Sequence, residues 1–334
     1  MGREQALVKG WYGHNNLGDE SYKLTFPKVF GSKYDLMFSD SSSLRNPHDA
    51  VFLGGGDIFV PDFTTPLIGH DKPCFAASVT LSEDACEDAL NQMKYVAVRD
   101  KKSFNDLCDR FKGLAYYVPD FAFLLEGKPD RGQDLITRLF KEEKRDLYEN
   151  KVVVVINSHL IAKPGDSVKK HIAFENFCFQ IAEVCDTTNA SFLFLPFSTQ
   201  EPWDDRVSSG MVASRCKFWK KNLVAYKRMG VQDALDIISA ANAVVSSRLH
   251  STIFSCVGST PFVDITHNHK NSRLLEDMDL MESSVNYYKL SPNSIYEKLD
   301  YALKDKGETR EQLRLKVNDQ INQIERFKDH VCSL

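Results

Sequence analysis

The sequence predicts an α/β protein made of two sandwich domains, each a mostly parallel sheet flanked by helices. Three observations carry this expectation. Short apolar, β-branched runs alternate with helical patterns almost from end to end, the signature of βαβ layers. The chain has 334 residues, long for a single domain, and 43% of them are hydrophobic, enough for two cores. From Gly127 to Asn150 the composition turns charged and loses its β-branched residues, which marks a boundary.

Taken in order, strands are expected near Ala6–Lys9, Tyr34–Phe38, Ala50–Leu53, Cys74–Val79, Tyr95–Val98 and Leu114–Val118. Helices fall at Asp19–Phe30, Glu83–Met93 and Lys101–Phe111. These elements fill a first domain over residues 1–130, and residues 131–150 read as a solvated linker region with a helix in it. The second domain, residues 151–306, opens on Val152–Ile156, apolar on both faces as a central parallel strand is. A helix at Ser167–Cys185, strands at Phe192–Leu195 and Leu223–Tyr226, a helix at Val231–Ala241 and a strand at Ala243–Val245 follow. Then come a helix at Ser251–Val257, a strand at Phe262–Ile265 and further helices. Within residues 307–334 a last helix, Thr309–Asp329, sets Leu313, Val317, Ile321 and Ile324 at helical spacing.

Composition narrows the function. A formal charge of −4 gives no global attraction to nucleic acid or to an anionic membrane, so any anion site must be local and nucleic acid is not an expected partner. There is no leader-like n-region and h-region, and no apolar stretch nears the ~20 residues that cross a bilayer. A cytoplasmic location without a transmembrane segment is therefore expected. The eight cysteines are scattered without a C-x-x-C pair or a grouping with histidine, so neither disulfides nor a bound metal is expected.

Ligands of open α/β sheets bind at the carboxyl ends of the strands, so the informative residues are those just after each strand. Five places stand out. The loop "GWYGHNNLGDES", Gly10–Ser21, offers glycines and asparagines that tolerate positive φ, and Asp19 suits a helix N-cap. "LGGGDIF" places three glycines directly after a strand, for close approach of a ligand or of a neighbouring loop; it is neither a dinucleotide fingerprint nor a Walker loop. In "VRDKKS", Arg99 leaves a strand and Asp100 can cap the next helix, and the two also suit a surface ion pair. Pro119 and Asp120 end a strand, with turn formation as the default reading. The last place is "SSRLHSTIFSCVGSTPFVDITHNHK", where Ser247, Arg248, His250 and Lys270 follow two strands expected side by side. A guanidinium, an ammonium and an imidazole gathered there repel one another unless an anion sits among them.

These motifs, with "VPDFAFLL" and "LPF", stand in the order found in polysaccharide pyruvyl transferases, and the chain resembles that family over about residues 6–275. The resemblance implies two Rossmann-like αβα domains facing a cleft, a GT-B-like architecture, followed by C-terminal helices. It implies that phosphoenolpyruvate serves as co-substrate, with no separate cofactor, and donates its enolpyruvyl group to a carbohydrate acceptor. By the same resemblance Arg99, Arg248, Lys270 and Ser247 hold the donor, and His250 with Arg248 carries the chemistry. A planar arginine fork suits a phosphate or carboxylate, and an imidazole gives and takes protons near neutral pH. The acceptor is expected on the first domain, at Gly13, His14, Asn15, Asn16, Gly18, Asp19, Gly55 and Gly56, with Asp19 open to a capping role instead. The chain departs from the family pattern at Phe121 and at His267, where a proline and an aromatic residue are usual. Two other readings stay open: a GT-B glycosyltransferase with a nucleotide-sugar donor, and a glycan-binding protein without turnover. A peripheral contact with a lipid-linked glycan stays open too; the oligomeric state is not legible.

Overall fold

The computed structural model describes residues 2–40, 47–82, 84–291 and 293–333. The chain divides into two compact units, Met1–Leu125 with Asn318–Leu334, and Glu126–Val317.

The first unit contains, in order, β1 (Glu4–Lys9), α1 (Leu17–Phe30), β2 (Tyr34–Ser39), β3 (Ala50–Phe59), the short α2 (Pro61–Thr64), β4 (Cys74–Leu81), α3 (Glu87–Gln92), β5 (Met93–Val98), α4 (Lys101–Arg110) and β6 (Leu114–Tyr117). The six strands form one parallel sheet in the order β2-β1-β3-β4-β5-β6. Strand order reverses at β1, so its carboxyl end, where the glycine- and asparagine-rich loop begins, is a topological switch point.

Three expectations need correction here. β3 does not stop at Leu53 but runs on through the glycines to Phe59, with a register shift between Gly56 and Phe59. α1 starts before Asp19: Asn16 is its N-cap, its side chain accepting from Gly18 N, and Asp19 lies in the first turn. α3 is shorter than Glu83–Met93, and Glu83 itself lies outside the described residues. Asp100 does cap α4, taking the Ser103 N–H at 2.8 Å.

The second unit runs α5 (Pro129–Glu142), β7 (Lys151–Val155), α6 (Val168–Thr187), β8 (Ser191–Phe194), α7 (Asp205–Ala213), β9 (Asn222–Val224), α8 (Val231–Ala240), β10 (Ala243–Ser246), α9 (Leu249–Val257), β11 (Phe262–Thr266), α10 (His269–Asp277), β12 (Ser284–Asn286) and α11 (Ser294–Leu303). Its sheet is again parallel and six-stranded, β12-β11-β10-β7-β8-β9. Residues 131–150, read as a linker region, hold most of α5, which packs on α8: Arg131 pairs with Asp233 and Asp236, and Lys128 N donates to Asp236 at 2.8 Å. α7 and β12 had no counterpart in the sequence reading; α10 begins so soon after β11 that His269 and Lys270 are already helical.

The last helix, α12 (Glu308–Ser333), is longer than its apolar spacing indicated. Its N-terminal part lies in the second unit, where Arg310 donates to the carbonyls of Ser259, Ala241 and Asn242. Its C-terminal part lies in the first unit, where Phe327 meets Phe30, Tyr95, Tyr116 and Phe121 at centroid distances of 5.2–6.4 Å. Phe121, the departure from the family pattern, is thus fully buried. Burying such a ring contributes roughly 1.5–3 kcal/mol, which explains why an aromatic residue is tolerated beside Asp120. No helix among the described residues is long and apolar enough to cross a membrane, and all eight cysteines are free thiols.

Candidate functional site

Each unit gathers polar residues at the carboxyl ends of its strands. In the first, Arg99 directly follows β5 and is almost fully buried. Its Nε donates to Thr80 Oγ1 at 2.9 Å, Nη1 to Asp120 Oδ2 at 2.8 Å and to Tyr22 OH at 3.0 Å, and Nη2 to Asp57 Oδ1 at 3.0 Å. The Tyr22 hydroxyl donates in turn to Asp120 Oδ2 at 2.7 Å, and Asp120 Oδ1 accepts from Ala122 N. The Arg99 side chain is 5% exposed, Asp120 3% and Asp57 35%. Burial works against the guanidinium charge, but the Tyr22 phenol and the Asp120 carboxylate outweigh it, and the pKa rises above its ordinary value. Burial pushes the Tyr22 phenol well up, so it stays a donor.

The glycines of β3 belong to this arrangement. Gly55 adopts φ +80°, and a Cβ there would meet the Tyr22 ring at 2.5 Å; only glycine lets α1 bring that tyrosine to Asp120. A Cβ on Gly56 would lie 3.1 Å from Asp19 Oδ1, so Gly56 and Asp19 face each other. In the loop before α1, Gly13 and Asn15 take positive φ, as the sequence reading required. Gly13 N donates to Glu20 Oε1 at 2.5 Å, and His14 stacks on Trp11 at 3.8 Å while its Nε2 meets Asp40 Oδ2 at 2.9 Å. Asn16 caps α1 and Gly18 is buried in its first turn.

In the second unit Arg248 is the N-cap residue of α9, His250 stands in its first turn, and Lys270 stands in the first turn of α10. The two helices follow neighbouring strands, β10 and β11. A buried carboxylate fastens them together: Asp264 Oδ2 accepts from Thr252 Oγ1 of α9 and from Asn271 Nδ2 of α10, both at 2.6 Å, and Oδ1 accepts from Thr266 at 2.7 Å. Burial raises the Asp264 pKa despite these donors. Asn268 caps α10 through the N–H groups of Lys270 and Asn271. Ser247 is fully buried: its hydroxyl donates to Val155 O at 3.2 Å and accepts from Asn157 N at 2.8 Å, tying β10 to the end of β7.

The anion that the gathered cations called for is, for Arg248, part of the protein. Asp205, fully buried at the start of α7, lies with Oδ2 2.6 Å from Arg248 Nε and accepts from Arg248 Nη2 on Oδ1, also at 2.6 Å. It also accepts from the backbone N–H groups of Ser158, Phe197 and Ser198. The Arg248 side chain keeps 13% of its surface exposed. Two imidazoles stand close enough to feel its charge. His267 is pushed down to about 4, by burial first and then by Arg248 and His159, and its Nε2 accepts from Asn268 Nδ2 at 2.9 Å. His159, stacked on Trp203 at 3.8 Å, is lowered by burial and by Arg248. Both are neutral at pH 7. His267 thus fills the usual aromatic position as an uncharged ring, edge-on to Tyr287 at 6.5 Å.

Asp205, Asp264 and His159 were missed from sequence. Asp264 had a signal, a carboxylate inside the apolar strand "FVDIT"; Asp205 had none, because its partner lies 43 residues away. Among the described residues no group of three or more His, Cys, Asp or Glu side chains is placed to hold a metal ion.

A family model described as polysaccharide pyruvyl transferase matches residues 9–269 of the chain. No curated protein matches its sequence. Among solved structures the chain is similar to a Listeria monocytogenes protein described as a UDP-N-acetylglucosamine 2-epimerase, at TM-score 0.60 and 8% identity over 93% of this chain and 91% of that one. It is also similar to the UDP-GlcNAc 2-epimerase of Methanocaldococcus jannaschii, at TM-score 0.57 and 10% identity over 93% and 97%. A third is the α,α-trehalose 6-phosphate synthase of Burkholderia multivorans, at TM-score 0.52 and 12% identity over 87% and 71%. Identities this low speak for the fold alone, that of the GT-B glycosyltransferases.

Proposed function

The chain belongs to the polysaccharide pyruvyl transferase family, and from that premise we propose that it moves the enolpyruvyl group of phosphoenolpyruvate onto a sugar diol of a glycan or glycan precursor. The product is a cyclic pyruvate ketal, and phosphate is released. The observation that carries this reading is the start of two adjacent helices, fastened by Asp264, bearing Arg248, His250 and Lys270.

Phosphoenolpyruvate presents a phosphate and a carboxylate. Helix N-termini favour anions, and Arg248 and Lys270 add full charges there. In the reaction C3 of the donor gains a proton and C2 becomes an oxocarbenium-like centre. One sugar hydroxyl adds to C2, the C2–O bond to phosphate breaks, and the second hydroxyl closes the ketal. Of the two hydroxyl protons lost, one balances the proton gained by C3 and the other leaves with phosphate. His250 is the general acid and base for these transfers, and Arg248 and Lys270 stabilise the charge that grows on the departing phosphate. Ser247 fixes the strand end from which Arg248 projects. The family resemblance also assigns Arg99 to the donor; in this structure it is paired with Asp120 and with Asp57, the more exposed of its two carboxylates. The acceptor sugar lies against Gly13, His14, Asn15, Asn16, Gly18, Asp19, Gly55 and Gly56, with Asn15 offering hydrogen bonds and Asp19 facing Gly56 across the site. A cytoplasmic site of action fits a donor drawn from central metabolism.

His250→Ala should abolish phosphate release from phosphoenolpyruvate with a glycoside panel, while phosphoenolpyruvate still raises the melting temperature. Near-normal turnover removes His250 from the chemistry. Stabilisation by UDP and not by phosphoenolpyruvate replaces this reading with glycosyl transfer.

A further inference from the structure

A cavity of about 350 Å3 opens at the amino ends of the strands in the first unit. Arg99 and the acceptor loop lie at the opposite, carboxyl ends of the same strands. Its walls are aromatic: Phe30 from α1, Tyr34 from β2, Phe75 from β4 and Tyr95 from β5. Phe75 and Tyr95 sit side by side in the sheet with ring centroids 4.8 Å apart, and Tyr34 and Phe75 both pack on Phe52, at 5.4 and 5.0 Å. The last turns of α12 close one side with Val331 and Cys332. Lys33 and Lys94 stand at the lining, Lys33 with its ammonium 5.6 Å above the Tyr34 ring.

The pocket opens to solvent past Lys94 and Leu114, and its volume is enough for a ligand of one or two rings. The walls are flat π surfaces, which suit rings that stack or meet edge-on. The lining carries the phenols of Tyr34 and Tyr95, both protonated at neutral pH, together with the ammonium groups of Lys33 and Lys94. Two ammonium groups at an apolar hollow with hydroxyl donors select a ligand that is apolar at one end and negative at the other.

We propose that this cavity is a binding site for a one- or two-ring aromatic carboxylate, its rings against the wall of Phe30, Tyr34, Phe75 and Tyr95 and its carboxylate at Lys33 and Lys94. The site is separate from the transferase reading and does not depend on it.

The test uses the full chain and 2-naphthoate as probe. Calorimetry should show one site whose affinity is unchanged by saturating phosphoenolpyruvate, and Lys33→Ala and Lys94→Ala should each weaken it about tenfold, the effect of one charge-assisted hydrogen bond. Octanoate and 2-naphthylmethylamine should bind at least about tenfold more weakly. In the unmutated protein the probe should slow alkylation of Cys332 by iodoacetamide while the exposed Cys108 reacts at its normal rate, read by peptide mass spectrometry. Absence of binding, displacement by phosphoenolpyruvate, equal binding of octanoate or of the amine, or an unprotected Cys332 each overturns the assignment.

Discussion

Arg99 and Arg248 each follow a parallel strand at its carboxyl end and meet a buried aspartate, yet their surroundings differ. Arg99 is held by two carboxylates and a phenol, so its neighbourhood carries net negative charge. Arg248 has one carboxylate, Asp205, and shares its surroundings with two imidazoles that burial keeps neutral, while Lys270 starts the adjacent helix. Of the two arginines only Arg248 has neutral imidazoles beside it, and its side chain is the more exposed, 13% against 5%. An arginine after a strand is therefore not by itself an anion site; the number of carboxylates the fold delivers to it decides.

The comparison breaks most readily at Asp205. Asp205→Ala removes the carboxylate that Arg248 is paired with in a largely buried place, and removing one partner of such a pair costs about 3–5 kcal/mol. Chemical denaturation should show a loss of that size; a loss below about 1 kcal/mol means that Arg248 is solvated and the pair is not structural.

A somewhat smaller effect tests the neutral imidazoles. An unfolded histidine takes its proton near 6.5 and the folded His267 near 4, so the unfolded chain binds more protons between those values. Stability should accordingly be full above about pH 6.5 and fall as the pH drops towards 4, by ~3 kcal/mol from this residue. His159 adds to the fall in the same direction. His267→Gln should flatten the profile measured by urea unfolding from pH 7 to 4; an unaltered slope shows that His267 is charged beside Arg248, and the contrast with the first unit is lost.

The smallest change is expected at Asp57, which is 35% exposed. Asp57→Asn should cost less than ~1 kcal/mol. By removing one of the two carboxylates on Arg99 it should also lower the Kd of phosphoenolpyruvate, read by calorimetry. An unchanged Kd takes Arg99 out of the donor site.

Much of the site's ordering was legible. Strand ends, Asp100 as a cap, positive φ at Gly13 and Asn15, and Arg248 and His250 at a helix start all follow from local patterns of a few residues. What failed was equally local. Asp19 looked like the cap of α1, but Asn16, three residues earlier, competes for the same role and takes it. The glycines of "LGGGDIF" looked like a loop because glycine weakens strands; here they continue β3, since Gly55 must leave room for Tyr22.

By itself the sequence determined the two parallel α/β layers, the places where their strands end, and the kind of charge carried there, because periodicity and capping act over distances of a few residues. Only the tertiary structure decided which charges remain available. Tyr22 with Asp120, Asp57 with Arg99 and Asp205 with Arg248 are joined across 98, 42 and 43 residues. Such pairs are selected by the packing of whole helices and strands, and no local pattern encodes them.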